Sequence, residues 1–121
     1  MRGQCIAVVS GKGGTGKTSL VSSVGAALAL GGRRVLCLDC DVGLRNLDLA
    51  LGLADQALMD FSDVAQQRCP LDSAVVEHPK LSGLFLLTAP VRSRGQPVTE
   101  QQMTRLLEEI RGRYDYCLLD A

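Results

Sequence analysis

GKGGTGKT, Gly11–Thr18, packs four glycines and two lysines into eight residues. The stretch fits G-x-x-x-x-G-K-[ST] and stands between a short apolar run, CIAVVS at Cys5–Ser10, and a longer one from Thr18 to Leu30. Strand, glycine loop and helix in that order make a phosphate cradle. The glycines let successive backbone N–H groups turn into one concavity, and the start of the helix adds its positive end. Gly11, Gly13, Gly14, Thr15, Gly16 and Ser19 are therefore expected to line a nucleotide's phosphates. Lys17 is expected to reach the terminal phosphates, and the Thr18 hydroxyl to hold Mg²⁺. The bland alternative is a glycine-rich turn that only reverses the chain. Lys12 is a second cation in the same loop, and repulsion from Lys17 in an empty site is relieved by a polyphosphate or by pointing outward. An outward Lys12 serves a neighbouring subunit's nucleotide or is an ordinary solvated charge.

Outward from the loop, strand and helix signals alternate, the pattern of a parallel sheet flanked by helices. After Thr18–Leu30, Gly31 and Gly32 stop the first helix, and RVLCLD reads as a strand ending at Asp39. ADQALMDFSDVAQQ, residues 54–67, reads as helical, LFLLTA, Leu84–Ala89, as a strand, and Pro90–Pro97 as a surface loop. Thr99 and Gln102 form a capping box ahead of Met103, Leu106, Leu107 and Ile110, which recur at helical spacing up to Gly112. YDYCLLDA supplies a last buried strand reaching Asp120. No repeat or linker divides the chain, so a single α/β domain is expected, mainly a parallel sheet with helices on both faces.

Composition narrows the function classes. The 121 residues carry 46% hydrophobic side chains and 13 basic against 13 acidic residues, a globular balance with no overall pull toward nucleic acid or an anionic membrane. With no Trp, two Phe and two Tyr, the aromatic platforms that stack single-stranded bases are missing. Of the five cysteines, Cys5, Cys37 and Cys117 sit in apolar runs, usage that suits a reducing cytoplasm. Cys37 and Cys40 have C-x-x-C spacing without a second pair at zinc-ligand distance. SLVSSVGAALAL behind Arg2, Lys12 and Lys17 has the outline of a secretory signal, but the phosphate loop accounts better for the glycines between those charges. No apolar stretch approaches the roughly 18–20 residues of a membrane span. His78, in VVEHPK, reads as a turn residue.

Three carboxylates complete the candidate site. Asp39 and Asp41 lie two apart at the end of a strand, so they share one face if the strand persists. Otherwise they are loop carboxylates capping a turn. Asp120 closes the run Tyr116–Leu119, as a residue holding the Mg²⁺ shell through water would.

KGGTGKT resembles the deviant Walker A motif, and DCDVGLRNLDLALGL, Asp39–Leu53, is similar to the corresponding region of the MinD branch of the MinD/ParA family of P-loop ATPases. The resemblance runs from about Cys5 to Ala121. It implies ATP and Mg²⁺ as ligands and a slow ATPase that switches a homodimer on and off the inner membrane to place the division septum. It gives Lys12 the role of the signature lysine that contacts the partner subunit's phosphates. Asp41 would orient the attacking water near the metal, Asp39 and Asn46 would support magnesium or nucleotide geometry, and Asp120 would be the Walker B carboxylate. The implied partners are a MinC-like division inhibitor and a MinE-like activator, with no nucleic acid expected. The implied location is cytoplasmic with peripheral membrane association. Thr15 stands where the family has an apolar residue, and Ser19 where a second threonine is common. The family continues past the Walker B strand into switch II, further strands and a membrane-binding amphipathic helix. Residues 1–121 are therefore expected to be the N-terminal part of one P-loop domain, truncated after the Walker B strand, with an uncovered sheet edge. The runner-up readings are a ParA-like or flagellar-number partition ATPase and a non-hydrolysing nucleotide-binding fragment.

Overall fold

Four apolar runs of the chain become parallel strands. Those at Val35–Asp39, Leu84–Leu87 and Tyr116–Asp120 are largely buried, whereas the first, Gln4–Val8, expected to be a buried strand, is exposed or only half-buried among the described residues because it lies at the rim of the sheet. The structure is a computed structural model describing residues 3–8, 15–40, 59–90 and 97–120, with the backbone alone described at 15–18. Strand β1 is Gln4–Val8, helix α1 Thr15–Leu30, and β2 Val35–Asp39. Two short helices follow, α2 Phe61–Ala65 and α3 Leu71–Ala74, then β3 Val76–Glu77 and β4 Leu84–Leu87. Helix α4, Glu100–Arg111, leads into β5, Tyr116–Asp120. The sheet order is β1-β5-β2-β4-β3, parallel except for the antiparallel pair β3 and β4.

The expected helices on both faces are present. Val35 and Cys37 of β2, Leu84 and Leu86 of β4, and Leu118 of β5 pack with Val21 and Ala29 of α1. On the opposite face Leu36, Leu38, Leu87 and Cys117 pack with Phe61 and Val64 of α2, Leu71 of α3, and Leu106 and Ile110 of α4. Every residue of β2 is buried, as a central parallel strand covered on both sides requires. In the described residues β1 lies at the rim of the sheet and pairs only with β5. Ile6 is 41% exposed there, and Leu20 and Val24 of α1 are exposed as well.

Local chemistry fixes the helix ends. Helix α1 ends in a Schellman turn: Arg33 N–H donates to Leu28 O, and Gly32, at φ +87°, donates to Ala29 O. The capping box of α4 forms as expected, with Gln102 N–H donating to Thr99 Oγ1 at 3.1 Å and Thr99 N–H to Gln102 Oε1 at 2.9 Å.

The element bounds need four corrections. Helix α1 begins at Thr15 rather than Thr18, so the end of the glycine motif is already helical. Within the helix expected over residues 54–67, the described residues form a helix at Phe61–Ala65, started by the capping box of Asp60 and Asp63. Gln67, at φ +63°, has left the helical region; residues 54–58 lie outside those described. Strand β4 stops at Leu87 rather than Ala89. The short elements α3 and β3 were not expected, since four and two residues are too few to display a period. Of the expected strand at Cys5–Ser10, residues 9 and 10 lie outside the description, as does most of the Pro90–Pro97 loop.

Gly25 lets α1 approach the sheet. A Cβ there would stand 2.9 Å from Cys37 Sγ and 3.2 Å from Leu84 Cδ1, both on buried residues. Gly25→Val is expected to cost roughly 1–3 kcal/mol by overpacking. Chemical denaturation tests this: a midpoint equal to that of the parent chain would show that the layer can yield.

Candidate nucleotide site at the carboxyl ends of β1, β5 and β2

The topology brings three strand ends together. Strand β5 lies between β1 and β2, all three parallel, so their carboxyl ends share one edge of the sheet. Asp120 is in register with Asp39 on one side and with Val8 on the other. Alternation from Cys37 and Leu118, which face α1, puts Asp39 and Asp120 on the α1 face too. Helix α1 starts at Thr15, and six residues of the glycine loop separate it from Val8. In sequence, the first turn of α1 comes next after the strand paired with that of Asp120. Its leading N–H groups have no partner within the helix and carry the positive end of the dipole.

Both carboxylates are buried, Asp39 at 1% and Asp120 at 0% exposure. Oδ1 of Asp120 is a buried oxygen that takes no hydrogen bond, while both residues are engaged through other interactions. The backbone continues the ladder beyond β2, with Cys40 N–H donating to Asp120 O at 3.0 Å. Two hard oxygen donors side by side, next to a helix start, suit a divalent cation of the Mg²⁺ type. The neighbouring thiol feels the same surroundings. Burial, and then the Asp120 carboxylate, push Cys37 up to about 12.

Of the residues expected at the site, Asp39 and Asp120 are brought together. Thr15, Gly16, Lys17 and Thr18 form the first turn of α1, and Ser19 follows with an exposed side chain. Gly11, Lys12, Gly13, Gly14, Asp41 and Asn46 lie outside the described residues. Strand β2 ends at Asp39, and among the described residues Asp120 shares its face and edge. The sequence signal for that pair is the matching close of two apolar runs, VLCLD and YCLLD. His78 is the turn residue it was expected to be, its Nδ1 accepting from Lys80 N–H at 3.1 Å.

A strand, a helix starting from the glycine loop and a buried carboxylate pair form one constellation, and residues 6–118 match the CobQ/CobB/MinD/ParA nucleotide binding domain. The chain belongs to this family. It is 41% identical over 116 residues to the septum site-determining protein MinD of Synechocystis, covering 96% of this chain and 44% of that protein. Among solved structures it resembles the MinC:MinD cell division protein complex of Aquifex aeolicus, with a TM-score of 0.85 and 39% identity over 97% of this chain and 46% of that one. It also resembles MinD of Pyrococcus horikoshii complexed with Mg-ADP, with a TM-score of 0.75 and 29% identity over 98% of this chain and 48% of that one. The chain thus spans about half the length of the relatives it matches.

The environment of Cys37 makes a pH prediction. Its thiol ordinarily titrates at 9.0, and the fold raises this to about 12. The unfolded chain gives up the proton first, so the contribution is intact below pH 9.0 and is lost as the pH rises toward about 12. The full loss is on the order of 4 kcal/mol as an upper limit. Denaturation midpoints across that window should fall more steeply for the parent chain than for Cys37→Ala; parallel curves would refute the assignment.

Proposed function

We propose that this chain is the N-terminal, phosphate-binding part of a single P-loop domain in a MinD-type ATPase. The observation that carries the reading is the pairing of Asp39 with Asp120, in register on the α1 face and beside the start of α1. The match to the nucleotide binding domain family supports it, as does the likeness to a MinD complexed with Mg-ADP.

In this reading the N–H groups of Gly11–Thr18 and the positive end of α1 bind the phosphates of ATP. Lys17, on the first turn of α1, would neutralise the terminal phosphates. Thr18, Asp39, Asp41 and Asp120 are the residues that would hold Mg²⁺. When bound, the ion offsets negative charge on the phosphate oxygens. Asp41 orients the attacking water. Lys12 reaches the phosphates of a second copy and stabilises the charge that grows during phosphoryl transfer, which couples hydrolysis to an ATP-dependent homodimer. Ser19 and Asn46 support the nucleotide geometry.

The parent activity follows as slow hydrolysis that sets the lifetime of the dimer and so places the division septum. A MinC-like inhibitor reads the dimer and a MinE-like protein stimulates its hydrolysis. The protein works in the cytoplasm and associates peripherally with the inner membrane through an amphipathic helix. The MinC:MinD complex among the similar structures supports the first partner. Among the described residues no helix is long and apolar enough to cross a membrane.

Titration of the chain with ATP and Mg²⁺, followed by phosphate release, tests the reading. Lys17→Ala should abolish ATP binding. Asp120→Asn should bind ATP but lose the Mg²⁺ dependence of that binding. Lys12→Ala should keep binding while phosphate release falls by on the order of 10³-fold, the contribution of a charge-stabilising finger. Full turnover by Lys12→Ala would sink the shared-site mechanism. ATP binding with no phosphate release from the parent chain would return the non-hydrolysing reading.

A further inference from the structure

The sheet face opposite the proposed nucleotide site carries a second group of reactive atoms. Cys5 of β1 and Cys117 of β5 are direct register partners on adjacent parallel strands. Partners in register point to the same face, here the one covered by α4. The two thiols act on one another's titration across the strand pair. Cys117 is buried, whereas Cys5 is only half-buried and open to a small reagent. Strand spacing of about 4.8 Å lies inside the Cα separation of roughly 4.4–6.8 Å that disulfides span.

Helix α4 supplies a cation to this pair. Arg111 Nε donates to Gly3 O at 3.0 Å, which holds the guanidinium beside the start of β1, and Glu108 pairs with Arg111 at 3.4 Å. The neighbouring Cys117 thiol and, against burial and Glu108, the charge of Arg111 hold the Cys5 thiol below its ordinary range. The neighbouring Cys5 raises Cys117, and its burial adds to the effect. One sulfur is thus prepared as the attacking thiolate and the other as its protonated partner. Of the three remaining thiols, Cys37 faces α1 on the other side of the sheet, Cys69 lies in the segment after α2, and Cys40 packs on the same side as the pair but follows the end of β2 and is the register partner of neither.

We propose that Cys5 and Cys117 are a peroxide-oxidisable thiol pair that closes to a reversible disulfide between β1 and β5. The Cys5 thiolate attacks one oxygen of hydrogen peroxide, the O–O bond breaks, and hydroxide leaves and takes up the proton that Cys5 released. The sulfenic acid formed on Cys5 is attacked by the sulfur of Cys117, which gives up its proton as the S–O bond breaks and a second water leaves. Two thiols are oxidised, and one peroxide is reduced to two waters. The crosslink joins the strand that feeds the glycine loop to the strand that ends in Asp120.

Peptide mapping of the whole chain after hydrogen peroxide treatment, under non-reducing conditions and without nucleotide, tests the proposal whether or not the chain binds ATP. The expected result is a peptide joining Cys5 to Cys117, loss of two of the five thiols, and recovery of both with dithiothreitol. Cys5→Ser, at the half-buried position, should abolish the linked peptide, and Cys69→Ser should leave it intact. Cys117→Ala should leave Cys5 trapped as a sulfenic acid that a dimedone probe labels. Should that buried variant fail to fold, the parent map and Cys5→Ser still decide. Oxidation that stops at Cys5 without a link in the parent chain, or a disulfide to Cys40 or Cys69 instead, would overturn the assignment.

Discussion

The insertion of β5 between β1 and β2 is the constraint on which the rest depends. Two strands distant in sequence, ending at Asp39 and Asp120, become neighbours in parallel register. Had β5 been added at the rim, the carboxylates would not adjoin, and the glycine loop after β1 would open beside another strand. Parallel pairing also requires that every strand return by a crossover, which sends α1 to one face and α2, α3 and α4 to the other.

Those two faces do different chemistry from the same strands. Along β5, Leu118 and Asp120 look toward α1 while Cys117 and Leu119 look toward α4. A single alternation therefore places a buried carboxylate at one side's edge and a thiol in the other side's core. Close packing keeps the faces distinct, as Gly25 shows by letting α1 settle onto Cys37 and Leu84. The cation on the α4 side comes from Arg111, fixed by its bond to the backbone at Gly3.

Much of this was legible in the sequence. The continuous apolar runs and the Thr99–Gln102 box each carry a local physical signature, and among the described residues each forms the element it indicated. The readings that failed involve competition among neighbours. Among residues 59–67 the Asp60–Asp63 box starts a short helix at Phe61, and Gln67 has left it by a positive φ. Strand β3 exists because β4 offers it an edge, not because two residues prefer to be extended.

The sequence by itself determined which residues can be chemically active: the glycines and lysines of the loop, Asp39, Asp120 and the thiols. It also determined the class of fold, because strand and helix periods and glycine stops are properties of short stretches. Only the tertiary structure decided which of those groups meet. Asp39 pairs across the sheet with Asp120, and Cys5 pairs with Cys117. Register between strands is set by burying both faces of the whole sheet at once, and no local stretch contains that information.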